Sequence, residues 1–126
     1  MRAPLSPNKH VHAEQYVANF FRSNGWSVEM QQEDSLSADL LIRHGKHRFI
    51  VEIKALSEGR PDRVLPVLSM AILQAKAAAE LSGNALPLAI IFVPEASLSL
   101  AKHVEVFAQK FAKDVPVGVI SGRGEQ

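Results

Sequence analysis

In the run RFIVEIKAL, residues 48–56, Glu52 and Lys54 end a pattern that otherwise reads as a strand buried on one face. Burying a charge without a partner is costly, so this acid and this base need company. The upstream turn supplies it. If Gly45-Lys46 is a two-residue hairpin loop, with glycine at the first central position as a type II′ turn requires, then Asp39 falls opposite Glu52, Leu41 opposite Ile50 and Arg43 opposite Arg48. Carboxylates facing each other with Cβ atoms about 5 Å apart repel unless a proton or cation sits between them. A divalent metal is the economical resolution. Lys54 projects from the same face roughly 6–7 Å further along, close enough to touch a substrate held by that metal.

The elements that must position these residues follow from periodicity. Ser6-Pro7 reads as a helix start; Ala13, Tyr16, Val17, Phe20 and Phe21 keep helical spacing, and Asn24-Gly25 ends the helix. WSVEMQ from Trp26 alternates as a strand, QEDSLS is a polar connection, and ADLLIR from Ala38 is a second strand, turned by HGKH into the third. SEGRPDR from Ser57 is a loop, and Pro66 opens a long helix reaching LSGN at 81–84. LPLAIIFVP is apolar throughout, as a strand covered on both faces is. A further helix covers roughly 97–113, VPVGVI is the last strand, and SGRGEQ is a frayed tail. The order helix, three-strand meander, helix, strand, helix, strand predicts an α/β sandwich on a mixed sheet.

The 126 residues, 47% of them apolar, fit one domain, residues 1–126, with a core that needs no staples. Without cysteine there is neither a disulfide nor a thiolate zinc site. The N-terminus lacks an apolar signal segment and the apolar stretches read as too short or too interrupted to span a bilayer, so the expectation is a soluble, cytoplasmic protein with no membrane partner. A net charge of +1 gives no strong pointer to nucleic acid, though it leaves room for a local basic patch.

Asp39, followed after twelve residues by Glu52-Ile53-Lys54, resembles the D…(D/E)XK motif of the PD-(D/E)XK nuclease superfamily, and the element order over residues 10–94 is similar to its core. The resemblance implies a restriction-endonuclease-like fold: an α/β three-layer sandwich whose mixed central β-sheet is flanked by helices. It implies a metal-dependent nuclease hydrolysing DNA, restriction-like or structure-specific as in resolvase-like members, with Asp39 and Glu52 binding Mg2+ or Mn2+. Lys54 would position or help deprotonate the attacking water and offset charge on the phosphate. The chemistry is coherent on its own terms: phosphodiester hydrolysis needs a water made more acidic by a metal and positive charge where the transition state accumulates negative charge. Ala38 stands where many members carry proline, a position that does no chemistry.

Other positions divide between this site and plain structure. Glu14 shares a helix flank with Val17 and Phe21; resolvase-like members carry a first-helix glutamate near the metal, which makes Glu14 a candidate further ligand against the alternative of a solvated residue. Gln74 falls within the stripe Val67, Met70, Ala71, Ala77, Ala78 and Leu81, where a buried amide needs partners, and several branches of the superfamily aim a glutamine from this helix at the active site. The tyrosine that follows it in the exonuclease-type branch is absent, Ala78 occupying that spacing. His44 and His47 flank the turn and read as exposed; Arg43, Lys46, Arg48, Arg60 and Arg63 can contact phosphates or simply stay solvated. Trp26 reads as core. The alanine-rich helix, apolar on most sides, predicts a homodimer or cover from the final helix. The competing class is a non-catalytic nuclease-like module for protein binding or regulation, in which Asp39, Glu52 and Lys54 are ordinary strand residues; Leu41 and Ile50 on their face argue against it.

Overall fold

The first helix, α1 (Leu5–Ser23), stops where the chain places Asn24-Gly25. Gly25 has φ of 91°, a left-handed conformation that a Cβ penalises. The amides of Asn24 and Trp26 turn back onto the Phe21 carbonyl and that of Gly25 onto Arg22, satisfying acceptors the helix end would leave open. At the other end the helix has already begun at Leu5, so Pro7 lies in its first turn as expected, but Ser6 does too rather than capping it. The computed structural model describes residues 5–30, 39–57, 61–95 and 98–122. The expected QEDSLS connection, the alanine at 38, Arg60 and the last four residues lie outside these.

After α1 come β1 (Ser27–Met30), β2 (Leu40–His44), β3 (His47–Ala55), a 3-10 turn over Pro61–Arg63, α2 (Val64–Ser82), β4 (Leu86–Pro94), α3 (Leu98–Phe111) and β5 (Val117–Gly122). Among the described residues the strands form one five-stranded sheet in chain order. The β1–β2 and β2–β3 pairs are antiparallel; β3–β4 and β4–β5 are parallel. The mixed sheet is thus a meander extended by two helical crossovers, an α/β arrangement with helices on both faces.

The β2–β3 register pairs Leu40 with Val51, Leu41 with Ile50 and Arg43 with Arg48, as a two-residue turn at Gly45-Lys46 demands. Gly45 has φ of 63°, and among the described residues no residue other than glycine has positive φ. Only the first central residue is therefore left-handed, which defines type II′ rather than I′. Alternation along β3 then divides the sheet. Val51 and Ile53, with Leu40 and Ile42, pack beneath Ala13, Val17, Ala18 and Phe21 of α1. On the opposite face Ile50 meets Ala78, and Ala89, Ile91 and Val93 of β4 lie against Leu68, Ala71 and Ala75 of α2 and Leu100 and Val104 of α3. Ala89–Val93 is buried throughout, as its uninterrupted apolar sequence predicts. Each large aliphatic side chain so buried stabilises the fold by about 1.5–3 kcal/mol.

The α2 helix differs from expectation in two ways. It starts at Val64, after a turn opened by Pro61, so Pro66 is its third residue. It also presents Val64, Leu68, Ala71, Ala75, Ala78 and Ala79 inward and leaves Met70, Leu73 and Leu81 51%, 64% and 69% exposed. Small side chains let a helix backbone lie close to the sheet, which favours the alanine face over the bulkier one. Gly83, with φ of 88°, ends the helix by donating its N–H to the Ala79 carbonyl at 3.0 Å. Contrary to expectation, Pro61–Ser82 is long and apolar enough, by length and composition, to cross a membrane; in this fold its inner face packs on β3 and β4. Lys76 bonds Asp114 at 3.0 Å, clipping α2 to the connection before β5 and holding that carboxyl below its ordinary pKa.

Candidate active site

Glu52 sits in mid-strand on the α2 face of β3, opposite Ala89 of β4, and is 8% exposed. A carboxylate so placed requires compensation, and Lys54 provides part of it. Two residues along the same face, its Nζ lies 3.5 Å from Glu52 Oε2. The alternation of a strand, period two, makes this pair possible; an i, i+1 spacing would separate the two across the sheet.

Asp39 stands one residue before β2 and is half-buried. The ladder begins with Leu40 opposite Val51, so Ile53 lies two residues beyond the last paired position. The Ile53 N–H donates to Asp39 Oδ2 at 2.8 Å. This refines the expected geometry: Asp39 does not simply face Glu52 as a repelling neighbour, but turns its carboxylate onto the backbone amide of the residue between Glu52 and Lys54. The three charged groups converge on one end of the β2–β3 pair. Since an ionised carboxylate has about four acceptor sites, one amide bond does not exhaust Asp39.

Glu14 is half-buried on α1. That helix runs antiparallel to β3 and β4: the Tyr16 ring is 5.2 Å from Phe92 near the end of β4, while Phe21 is 5.9 Å from Trp26, itself 5.9 Å from Phe49 near the start of β3. Glu14 therefore overhangs the same end of the sheet as Asp39 and Glu52, from the opposite face. It lies about 200° around the helix from both His12 and Tyr16, away from their contacts with β4. Gln74 is exposed rather than a buried amide. It stands one turn before Ala78, which packs on Ile50, and so occupies the flank of α2 nearest β3 and β2.

His44 and His47 are exposed and directly opposed across the hairpin. Trp26 is half-buried, in ring contact with Phe21, His44 and Phe49. Sequence patterning missed the junction of α1 with β5. Tyr16 lies over Gly122, where a Cβ would overlap its ring, and its hydroxyl donates to the Ser121 carbonyl at 3.5 Å. The signal was present in Ser121-Gly122, which continues the last strand but has the composition of a tail.

Among the described residues, no three His, Cys, Asp or Glu side chains gather into a ready-made metal group. Two hard carboxylates are nonetheless a donor set suited to magnesium, which commonly takes one or two from the protein and fills its remaining positions with water and phosphate. No family model matches the chain, and no curated protein or solved structure matches it significantly.

Proposed function

We propose that the chain is a metal-dependent nuclease of the restriction-endonuclease-like kind, hydrolysing DNA phosphodiester bonds. The observation that carries this reading is the convergence of a nearly buried Glu52, its ion-pair partner Lys54, and an Asp39 carboxylate held at the amide between them. Asp39 and Glu52 would hold Mg2+ or Mn2+. Glu14 is a proposed further ligand whose carboxylate would have to swing in from the opposite face. When bound, the ion would acidify the attacking water and offset charge developing on the phosphate. Lys54, shared with Glu52, would donate to a phosphate oxygen or orient the water, adding positive charge where the transition state needs it. Gln74, on the adjoining helix flank, would orient substrate rather than bind metal.

The test is a panel of supercoiled plasmid, single strands, flaps and four-way junctions incubated with magnesium or manganese. Cleavage of at least one substrate is expected, suppressed by chelator and by Glu52→Gln. A preparation that folds and binds metal yet cuts none of them would set the nuclease reading aside. The competing reading, a non-catalytic module for protein binding or regulation, draws support from the Asp39–Ile53 bond, since a scaffold would use the same contact to start a strand.

Assembly as a homodimer belongs to this proposal. The outer face of α2 exposes Met70, Leu73 and Leu81, with the exposed Lys76 and Glu80 on its margin, and a two-fold pairing through it would set two sites on one duplex or junction. Light scattering should read a dimer that Leu73→Glu dissociates; a monomer at every concentration would overturn it.

A further inference from the structure

We propose that the tip of the β2–β3 hairpin is a docking site for the phosphate backbone of duplex DNA. The six residues from Arg43 to Arg48 contain three permanent cations, two histidines and no acid. The chain's formal net charge is +1 and the tip contributes +3, so everything outside it sums to −2. The tip therefore carries a local net excess of positive charge, unopposed by any acid within it, in a nearly neutral protein.

Folding concentrates it further. Arg43 is directly opposite Arg48, and His44 opposite His47, with Lys46 in the turn between them. Like charges so opposed destabilise an antiparallel pair, and an anion lying across them reverses the sign of that interaction. Arg43, His44, Lys46 and His47 are exposed. Among the described residues, Arg48 Nε is buried without a hydrogen-bond partner. A desolvated donor left unmet is uncommon in a folded protein, and one of its ordinary explanations is an ion that completes it. Guanidinium groups are suited to phosphate oxygens by their planar fork of donors.

The placement also suits the candidate site. Residues 48, 50, 52 and 54 share one face of β3, so the arginine pair points to the same side of the sheet as Glu52 and Lys54. Four residues of antiparallel strand span about 14 Å, close to four base-pair rises of about 3.4 Å along a duplex. On this face α2 packs on β3 and β4, while β2 and β1 continue beyond it. Ser27 and Glu29 of β1 pair with Arg43 and Leu41, and Glu29 is the one acid of that strand pair that opposes the arrangement among the described residues. A backbone entering at the hairpin would run along β2 towards Lys54. The choice of DNA as the anion rests on the nuclease reading; the docking itself does not require cleavage.

The plainer account is that Arg48 complements the negative C-terminal end of α2, near which Ala78 meets Ile50, and that Arg43 and Lys46 are merely solvated. The two accounts separate in a binding experiment without metal. Wild type and Arg43→Ala/Lys46→Ala, both positions exposed, are titrated with a short labelled duplex in chelator across a salt series, and with vesicles containing anionic phospholipid. Docking predicts that the slope of log K against log salt falls by about 0.9 per cation removed, so by nearly 2 in the double variant, with Arg48→Ala removing about one more. Unchanged slope and affinity in the double variant, no duplex binding by wild type at low salt, or vesicle binding as tight and as sensitive to the variant as duplex binding would each overturn it. Parallel incubation of the plasmid, single-strand, flap and junction panel with magnesium keeps the two readings apart. Altered binding with no cleavage by wild type upholds the docking site and fails the nuclease; cleavage with unaltered binding does the reverse.

Discussion

Lys54→Ala is expected to slow cleavage by about 10²–10³-fold, the usual effect of removing one donor aimed at developing charge, while the protein still folds cooperatively and still binds metal. The structure adds a second readout that a mere loss of activity would lack. Lys54 is the ion-pair partner of Glu52, at 3.5 Å, and Glu52 is nearly buried. Truncating the lysine removes part of that carboxylate's compensation, which should cost about 1–3 kcal/mol in chelator. A divalent cation would restore a counter-charge at the same place. The variant should therefore gain more from magnesium in a melting experiment than wild type does, even as it loses catalysis. Lys54→Arg keeps the charge and should keep the apo stability, but its longer planar head cannot reproduce a single ammonium's position, so cleavage should remain impaired. Full activity in Lys54→Ala would remove the lysine from the mechanism. A metal response unchanged from wild type would instead mean that the cation does not sit beside Glu52.

The parts of this architecture that could be read in advance were those governed by local chemistry. Gly45 before Lys46 admits one tight turn type, and that turn, with the alternation of Leu40, Ile42, Val51 and Phe49, defines the whole hairpin register and hence the side of the sheet that carries Glu52 and Lys54. Asn24-Gly25 and Gly83 ended their helices because left-handed residues are cheap only there. The inner face of α2 was illegible for a physical reason: alanine, leucine and methionine surround the helix, so hydrophobic periodicity does not say which side is buried. Close approach to the sheet decides, and it selects the alanines. The orientation of Asp39 escaped for another reason. Pairing arithmetic assumes that the ladder continues, whereas β2 begins only after Asp39, at Leu40, and the aspartate side chain takes the place of a ladder partner at Ile53. Gln74 followed α2 in being misplaced, since its exposure is a consequence of the same rotation.

That hydrogen bond makes Asp39 the residue whose substitution best separates a metal site from a scaffold. In chelator, Asp39→Asn retains an amide oxygen able to accept the Ile53 N–H, exchanging a charged acceptor for a neutral one. Because Glu52 is already paired with Lys54, little repulsion is relieved in return, and the variant should lie within about 1 kcal/mol of wild type. Asp39→Ala removes the acceptor and should cost about 1–3 kcal/mol in chelator under either reading, which calibrates the structural part of the residue's role. Metal then distinguishes the two. At 100 times its dissociation constant, a cation bound only by the folded state adds about 2.7 kcal/mol, raising the wild-type melting temperature by roughly ten degrees for a domain of this size. Asp39→Asn should gain far less, because an amide oxygen carries no charge to attract the ion. If Asp39 serves only to start a strand, magnesium and manganese leave all three melting curves where chelator put them. Equal metal-induced shifts in wild type and Asp39→Asn would keep a cation in the protein but dismiss Asp39 as its ligand, and with it the pairing of Asp39 and Glu52 on which the hydrolytic mechanism depends.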